Sequence, residues 1–324
     1  MKAGFLKRGA GAALALWFAG CTKKRAEQLP SAPAGPVVAA QTSGPDLPGP
    51  AAGLGQVRVF SVAGDVDLIG KDGVIRRLVR GGVFTEGSLV KVGPGGGALL
   101  VLSNGTTIRL FPFSELWFTM FRQKPFDEKA AGTYLRLGRD PSKSTTILYL
   151  RNGLAQIEVK PLNAARGSSC EVDTPAGDIE AREAVFSLKV SRLAGGQLRK
   201  VLADCLVGVV NFTPVAGILA KRGQPGHSDD FSPSFALGPA QQIQVAVRWD
   251  PIIGQVTGGS VEGASLPLDA ANAELEDFDQ SIAGSLPEGP VRPPLQKITG
   301  ESGVPAGLPT VPFEALPATP TGHP

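Results

Sequence analysis

The chain of 324 residues holds three cysteines and two histidines, a small stock for nucleophilic or metal chemistry. Cys21 follows Phe18-Ala19-Gly20, Cys170 and Cys205 lie in apolar strips, His227 sits in "GQPGHSDD" and His323 precedes the last proline. No CxxC pair, HExxH helix or Ser-His-Asp set can be assembled from these residues, so zinc and triad chemistry find no support. Carboxylates pair at Asp127-Glu128 and Asp229-Asp230. Glycoside cleavage needs two acids facing each other across roughly 5–10 Å, whereas these neighbours fall in polar loops and read as solvated charge. "GPGGGA", Gly93 to Ala98, has the form G-x-G-x-x-A. That fingerprint serves phosphate only when a helix N-terminus follows; here a strand follows, and the stretch reads as a bend. The densest remaining cluster is aromatic: Phe111, Phe113, Trp117, Phe118 and Phe121. Such a strip can offer flat apolar faces to a ligand or fill a core. No catalytic residue, metal site or cofactor is expected.

Strands must position that strip. Short runs of Val, Leu, Ile and Thr recur between Gly, Asn and Asp, with 42 glycines and 28 prolines in the chain, which is the pattern of an all-β body. "GDVDLIGKDGV" turns on Asp72-Gly73, and "GALLVLSNGTTIRLF" turns on Asn104-Gly105. Leu99 and Val101 make the second face of that hairpin apolar too, so it should be covered on both sides. "TTILYLRNGLAQIEVK" carries a further Asn-Gly turn at Asn152-Gly153, and "CEVDTPAGDIEAREAVFSLKVS", "QLRKVLADCLVGVVNF" and "IQVAV" form a third set. Residues 122–146 are polar and read as a long loop. Leu268, Ala271, Leu275, Phe278 and Ile282 fall at helical spacing, predicting a helix over 267–283 between Pro267 and Gly284. The expected fold is all-β, built of antiparallel hairpins, with one short C-terminal helix and disordered ends.

Both ends differ in composition from the body. Residues 1–21 have a basic start, an apolar run from Ala10 to Ala19 and small residues before Cys21, the pattern of a secretory signal. Ala19-Gly20-Cys21 also resembles the lipobox of bacterial lipoproteins, with Phe18 in place of the usual leucine. That resemblance implies a lipid-bearing Cys21, a palmitate-type anchor and an outer-membrane lipoprotein facing the periplasm. Residues 22–54 form a Pro/Ala-rich linker that would span about 30 Å as a flexible coil. The β domain occupies 55–250, an extension with the helix 251–284, and a Pro-rich disordered tail 285–324. With Cys21 carrying lipid, Cys170 and Cys205 remain, and an even residual count in an exported chain favours a disulfide; two buried free thiols are the alternative. The formal charge of +3 vanishes when Lys2, Lys7 and Arg8 are removed with the first twenty residues, so attraction of nucleic acid is not expected.

One resemblance covers residues 56–247. "GDVDLIG…LVRGGVFTEGSLVKVGPGGGALLVLSNGTTIRLFPFSEL" resembles the FecR-type domain of bacterial periplasmic sensors, with Gly64, Val66, Gly82, Gly87, Asn104, Gly105, Ile108, Leu110 and Ser114 matching its pattern. "ILYLRNGLAQIEV" is similar to its "l.l..G.v.v.v" hairpin, and "FALGPAQQIQV" to its closing strand. Glu183-Ala184 stands where the family has Gly-Thr, so a corner there must be built differently. The resemblance implies a twisted solenoid-like or sandwich-like stack of hairpins. With the lipobox and the lack of catalytic motifs, the expectation is a non-enzymatic, envelope-anchored module that senses or scaffolds by binding a protein or glycan. A polysaccharide-directed hydrolase or lyase and a peptidoglycan-associated structural module are the alternatives.

Overall fold

Val57, Val59, Val66 and Val90 alternate with exposed or half-exposed neighbours along their strands, and that period of two sets the architecture. The computed structural model describes residues 53–127, 134–193, 197–215, 234–250, 255–285 and 293–299. The signal, Cys21 and most of the linker lie outside the described residues, as do Glu128, His227, Asp229, Asp230, His323 and the end of the tail. Among the described residues, no helix is long and apolar enough to cross a membrane.

Among the described residues, fifteen strands join in one sheet. They are β1 (Val57–Ala63), β2 (Val66–Ile69), β3 (Ile75–Arg77), β4 (Val83–Phe84), β5 (Ser88–Val92), β6 (Gly97–Leu102), β7 (Thr107–Leu110) and β8 (Glu115–Gln123). β9 (Ser144–Val159), β10 (Ser169–Thr174), β11 (Gly177–Arg192), β12 (Leu198–Pro214), β13 (Phe235–Leu237), β14 (Gln241–Asp250) and β15 (Gln255–Ser265) follow, then α1 (Leu268–Ala283).

The sheet divides along β9. Its first half pairs with β8 and β10, and its second half with β7 and β11. One leaf continues from β8 through β5 and β2 to β3; the other continues from β7 through β6 and β1 to β4. Val90 and Phe118 from the first leaf share a core cluster with Leu100 and Ile108 from the second, so the leaves close on each other as a sandwich. Among the described residues the fold is all-β with one α-helix.

Two expectations are corrected in detail, and a third, the differently built corner, takes a definite form. Asn152-Gly153 does not reverse the chain: β9 runs unbroken for 16 residues. The pair is instead the bend where β9 changes leaf, with Gly153 at φ 91°. A Cβ there would stand 2.8 Å from the Ser114 nitrogen, so glycine is required by both conformation and space. Not every pair is antiparallel: β10 returns parallel to β9, Glu171 beside Ile147 and Asp173 beside Tyr149, after residues 160–168 cross back over the strand ends. The corner expected at Glu183-Ala184 is a register break between Ala181 and Ala184. The glycine comes from the facing strand, Gly208 at φ 79°.

The predicted loop 122–146 is shorter, because β8 runs to Gln123 and β9 starts at Ser144. Buried polar side chains fasten its ends. Asp140, 1% exposed, accepts from Ser144 Oγ at 2.7 Å and from the Ser142 amide at 3.3 Å. Asn104 of the β6–β7 turn donates to Ser144 Oγ and Thr146 Oγ1, each at 3.2 Å. Ser103 donates to Gln123 Oε1. Buried polar groups satisfied in this way hold one arrangement.

The other face of the second leaf carries Leu99, Val101, Val185 and Leu206, covered by Ala271, Leu275, Phe278 and Ile282 of α1. This explains why the opening hairpin is apolar on both faces. Arg109 clamps the helix through Asp277 at 2.6 Å. Leu268, placed on the apolar stripe by spacing, is 39% exposed. Residues 293–299, inside the segment expected to be disordered, lie against α1: the Ile298 amide donates to Asn272 Oδ1 at 2.8 Å and Asn272 Nδ2 donates back to Ile298 O at 3.3 Å.

Candidate binding face

The aromatic strip separates into two roles. Phe118 and Phe121 are fully buried, and Phe118 meets Phe84 edge-on with ring centres 5.1 Å apart; both are core. Phe111 lies under the Arg109 guanidinium, 4.5 Å from ring centre to Cζ. Phe113 and Trp117 are 60% and 44% exposed, and Met120 joins them at 38%. A register break between Phe118 and Met120 turns Met120 outward. Phe113 has φ 64°, an uncommon conformation for a bulky residue, at the turn that carries the chain from one leaf to the other. Asn152 Nδ2 holds its carbonyl at 3.0 Å, and Ser114 Oγ exchanges hydrogen bonds with the Leu154 backbone at 2.8 and 3.0 Å.

Register fixes what surrounds Trp117. Leu89 of β5, Trp117, Tyr149 of β9, Asp173 of β10 and Asp178 of β11 are successive cross-strand partners. They share the outward face, at about 4.8 Å per strand. A second row runs Met120, Ile147, Glu171 and Glu180. An apolar platform thus passes into an acidic patch within two strands.

Glu171, Asp173 and Asp178 bring their carboxylate oxygens within 4.8 Å of one another. Burial, then the charges of Asp178 and Glu171 and a hydrogen bond with Glu171, push Asp173 up to about 7. Burial and the Glu171 charge raise Asp178 as well. Such a cluster can be neutralised by a proton, a basic side chain or a hard cation, which takes oxygen ligands. Composition and loop pairs gave no sign of it, yet it was readable: Glu-x-Asp before Thr174-Pro175-Ala176 and Asp-x-Glu after it must fall on one face of a tight hairpin.

The expected disulfide is not formed. Cys170 and Cys205 are free and buried. Cys170 faces Ala181 and Cys205 faces Phe186, well apart along β11, beyond the reach of a bridge. Burial pushes both thiols up to about 12, which removes them from thiolate chemistry. Residues 93–96 form a bend that leads straight into β6, a strand and not a helix; the Gly93 amide donates to Asp65 O at 2.7 Å.

No protein-family model matches the chain, and no curated protein matches it. Among solved structures, two crystal structures of a "putative anti-sigma factor" from Parabacteroides distasonis, at 1.65 and 2.50 Å, are similar at 15% identity. Their TM-scores are 0.33 and 0.32, and each match covers 58% of this chain and 64% of that one, less than two thirds of its length.

Proposed function

We propose that this protein is a non-enzymatic binding module of the bacterial cell envelope, a FecR-like β domain tethered through a lipid on Cys21 and a linker. It senses or scaffolds through a protein or glycan held on the outward face of β5, β8, β9 and β10. The observation that carries this reading is the exposure of Phe113, Trp117 and Met120 on one strand and its turn, set on a polar-pinned, two-leaved support. Aromatic and Met side chains of this kind are enriched at binding surfaces. Photo-cross-linking from position 120 in intact envelopes tests it. The reading requires a discrete adduct from position 120 and none from exposed Val209 on β12; equal labelling from both positions refutes it.

Cleavage of a glycan on the same face has one specific observation in its favour. Asp173 stands across from Asp178 with its carboxyl raised to about 7 by burial and neighbouring charge, a shift of the kind a general acid uses. The cluster's oxygens, however, lie within 4.8 Å, closer than the span between a glycosidase's two acids. Turnover of wall or capsular glycan abolished by Asp173→Asn supports cleavage; binding without turnover supports the first reading.

A further inference from the structure

The outward face of β8 and β9 ends in a cleft of about 410 Å³, lined by Gly53, Arg122, Lys124, Pro125, Lys143 and Thr145 over buried Gln123. Three lining side chains are cationic and none is a carboxylate. Arg122 meets Glu86 at 2.5 Å, whereas Lys124 and Lys143 form no ion pair among the described residues. The Lys124 amide donates to Lys143 O at 2.9 Å, so the two ammonium-bearing stems leave neighbouring backbone. Arg122 stands opposite Thr145, whose hydroxyl adds a donor. The cleft is open at Gly53, where a Cβ would meet nothing within 4 Å. Beneath lies the Gln123–Asp140–Ser144 network, which fixes the floor. Like charges gathered on a rigid concave support favour an oxyanion between them.

The surroundings narrow the ligand. Met120 and Trp117 continue outward from Arg122 along β8, with Trp117 about 15 Å away at the strand rise. Beyond Tyr149 the acidic patch repels dense negative charge but accepts hydrogen bonds from hydroxyls. A nucleic acid or strongly acidic peptide is disfavoured by that patch; a hydroxyl-rich chain with sparse charge suits both ends.

We infer that the cleft receives the carboxylate or phosphate of an acidic glycan whose rings lie along Met120 and Trp117. This rests on the outward face being the ligand face. Calorimetric titration of the full chain with a tetrasaccharide bearing a single terminal uronate, cellotetraose, inorganic phosphate and anionic phospholipid vesicles tests it. The acidic tetramer binds at least about tenfold tighter than the neutral one, a difference of ~1.4 kcal/mol. Phosphate competes for the cleft, and the double variant Lys124→Ser/Lys143→Ser erases the difference without changing the melting curve. Equal affinity for both tetramers, an unaffected double variant, or binding to vesicles alone overturns it. Should Trp117→Ala abolish recovery of an envelope ligand that the lysine variant still holds, the cleft is excluded and the face remains; if neither variant matters, both fall.

Discussion

Asp173 of β10 stands directly across from Asp178 of β11, with Glu171 completing a group of carboxylates whose oxygens lie within 4.8 Å. Like charges placed opposite on a sheet destabilise it, and with Asp173 raised to about 7 a proton there relieves the repulsion only below that pH.

The consequence is a pH dependence of defined sign. Asp173 rises from its usual 3.8 to about 7 on folding, so between those values the folded chain binds a proton that the unfolded chain has released. The stability from this group is full below the unfolded value and is lost as pH climbs toward 7. Asp173→Asn should raise stability by about 1 kcal/mol at pH 8 and give no gain at pH 4. Urea denaturation at both values measures this; an equal gain at both contradicts it.

Gly153 is the pivot of the two leaves. Gly153→Ala forces a Cβ toward Ser114 at φ 91° and should destabilise by about 2–4 kcal/mol. Asn152→Ala removes only the bond to the Phe113 carbonyl and should cost about 1 kcal/mol. Denaturation midpoints of the two variants decide the order.

Asp140→Ala strips acceptors from Ser142 and Ser144 inside the protein. A loss of about 2–3 kcal/mol is expected, with residues 134–143 becoming the first site of proteolysis. A variant as protease-resistant as the parent would show that the polar network does not fasten this segment.

Cys170 and Cys205 should resist a thiol reagent in the native state and react after denaturation without reductant. A melting temperature unchanged by dithiothreitol is the companion result. Loss of stability on reduction would show that a bridge exists.

Much of this was legible from residue chemistry. Asn104-Gly105 turns as its type requires, because Gly105 adopts φ 89° between two strands, and the stripe through Phe278 packs as a helix. Asn152-Gly153 has the same letters and a different outcome, since a strand can use the left-handed glycine to change leaf when partners wait on both sides. Phe118 and Trp117 are adjacent in sequence and opposite in fate, which alternation foretells, but the register break that exposes Met120 follows from packing alone. The acidic patch is readable once Thr174-Pro175-Ala176 is taken as a hairpin turn, which puts Glu171, Asp173, Asp178 and Glu180 on one face. The cationic cleft joins Gly53, Arg122 and Lys143 from three separate segments, and only the folded chain brings them to one place.

The central claim is that the outward face around Trp117 does the binding. Its most direct measurement is affinity capture from intact envelopes with the parent, Trp117→Ala and Val209→Ala, the last altering an exposed apolar residue on β12. Loss of an aromatic anchor costs at least ~2 kcal/mol, or about thirtyfold. Trp117→Ala should therefore release the captured molecule while Val209→Ala retains it. Full recovery of the same molecule by Trp117→Ala would contradict the account.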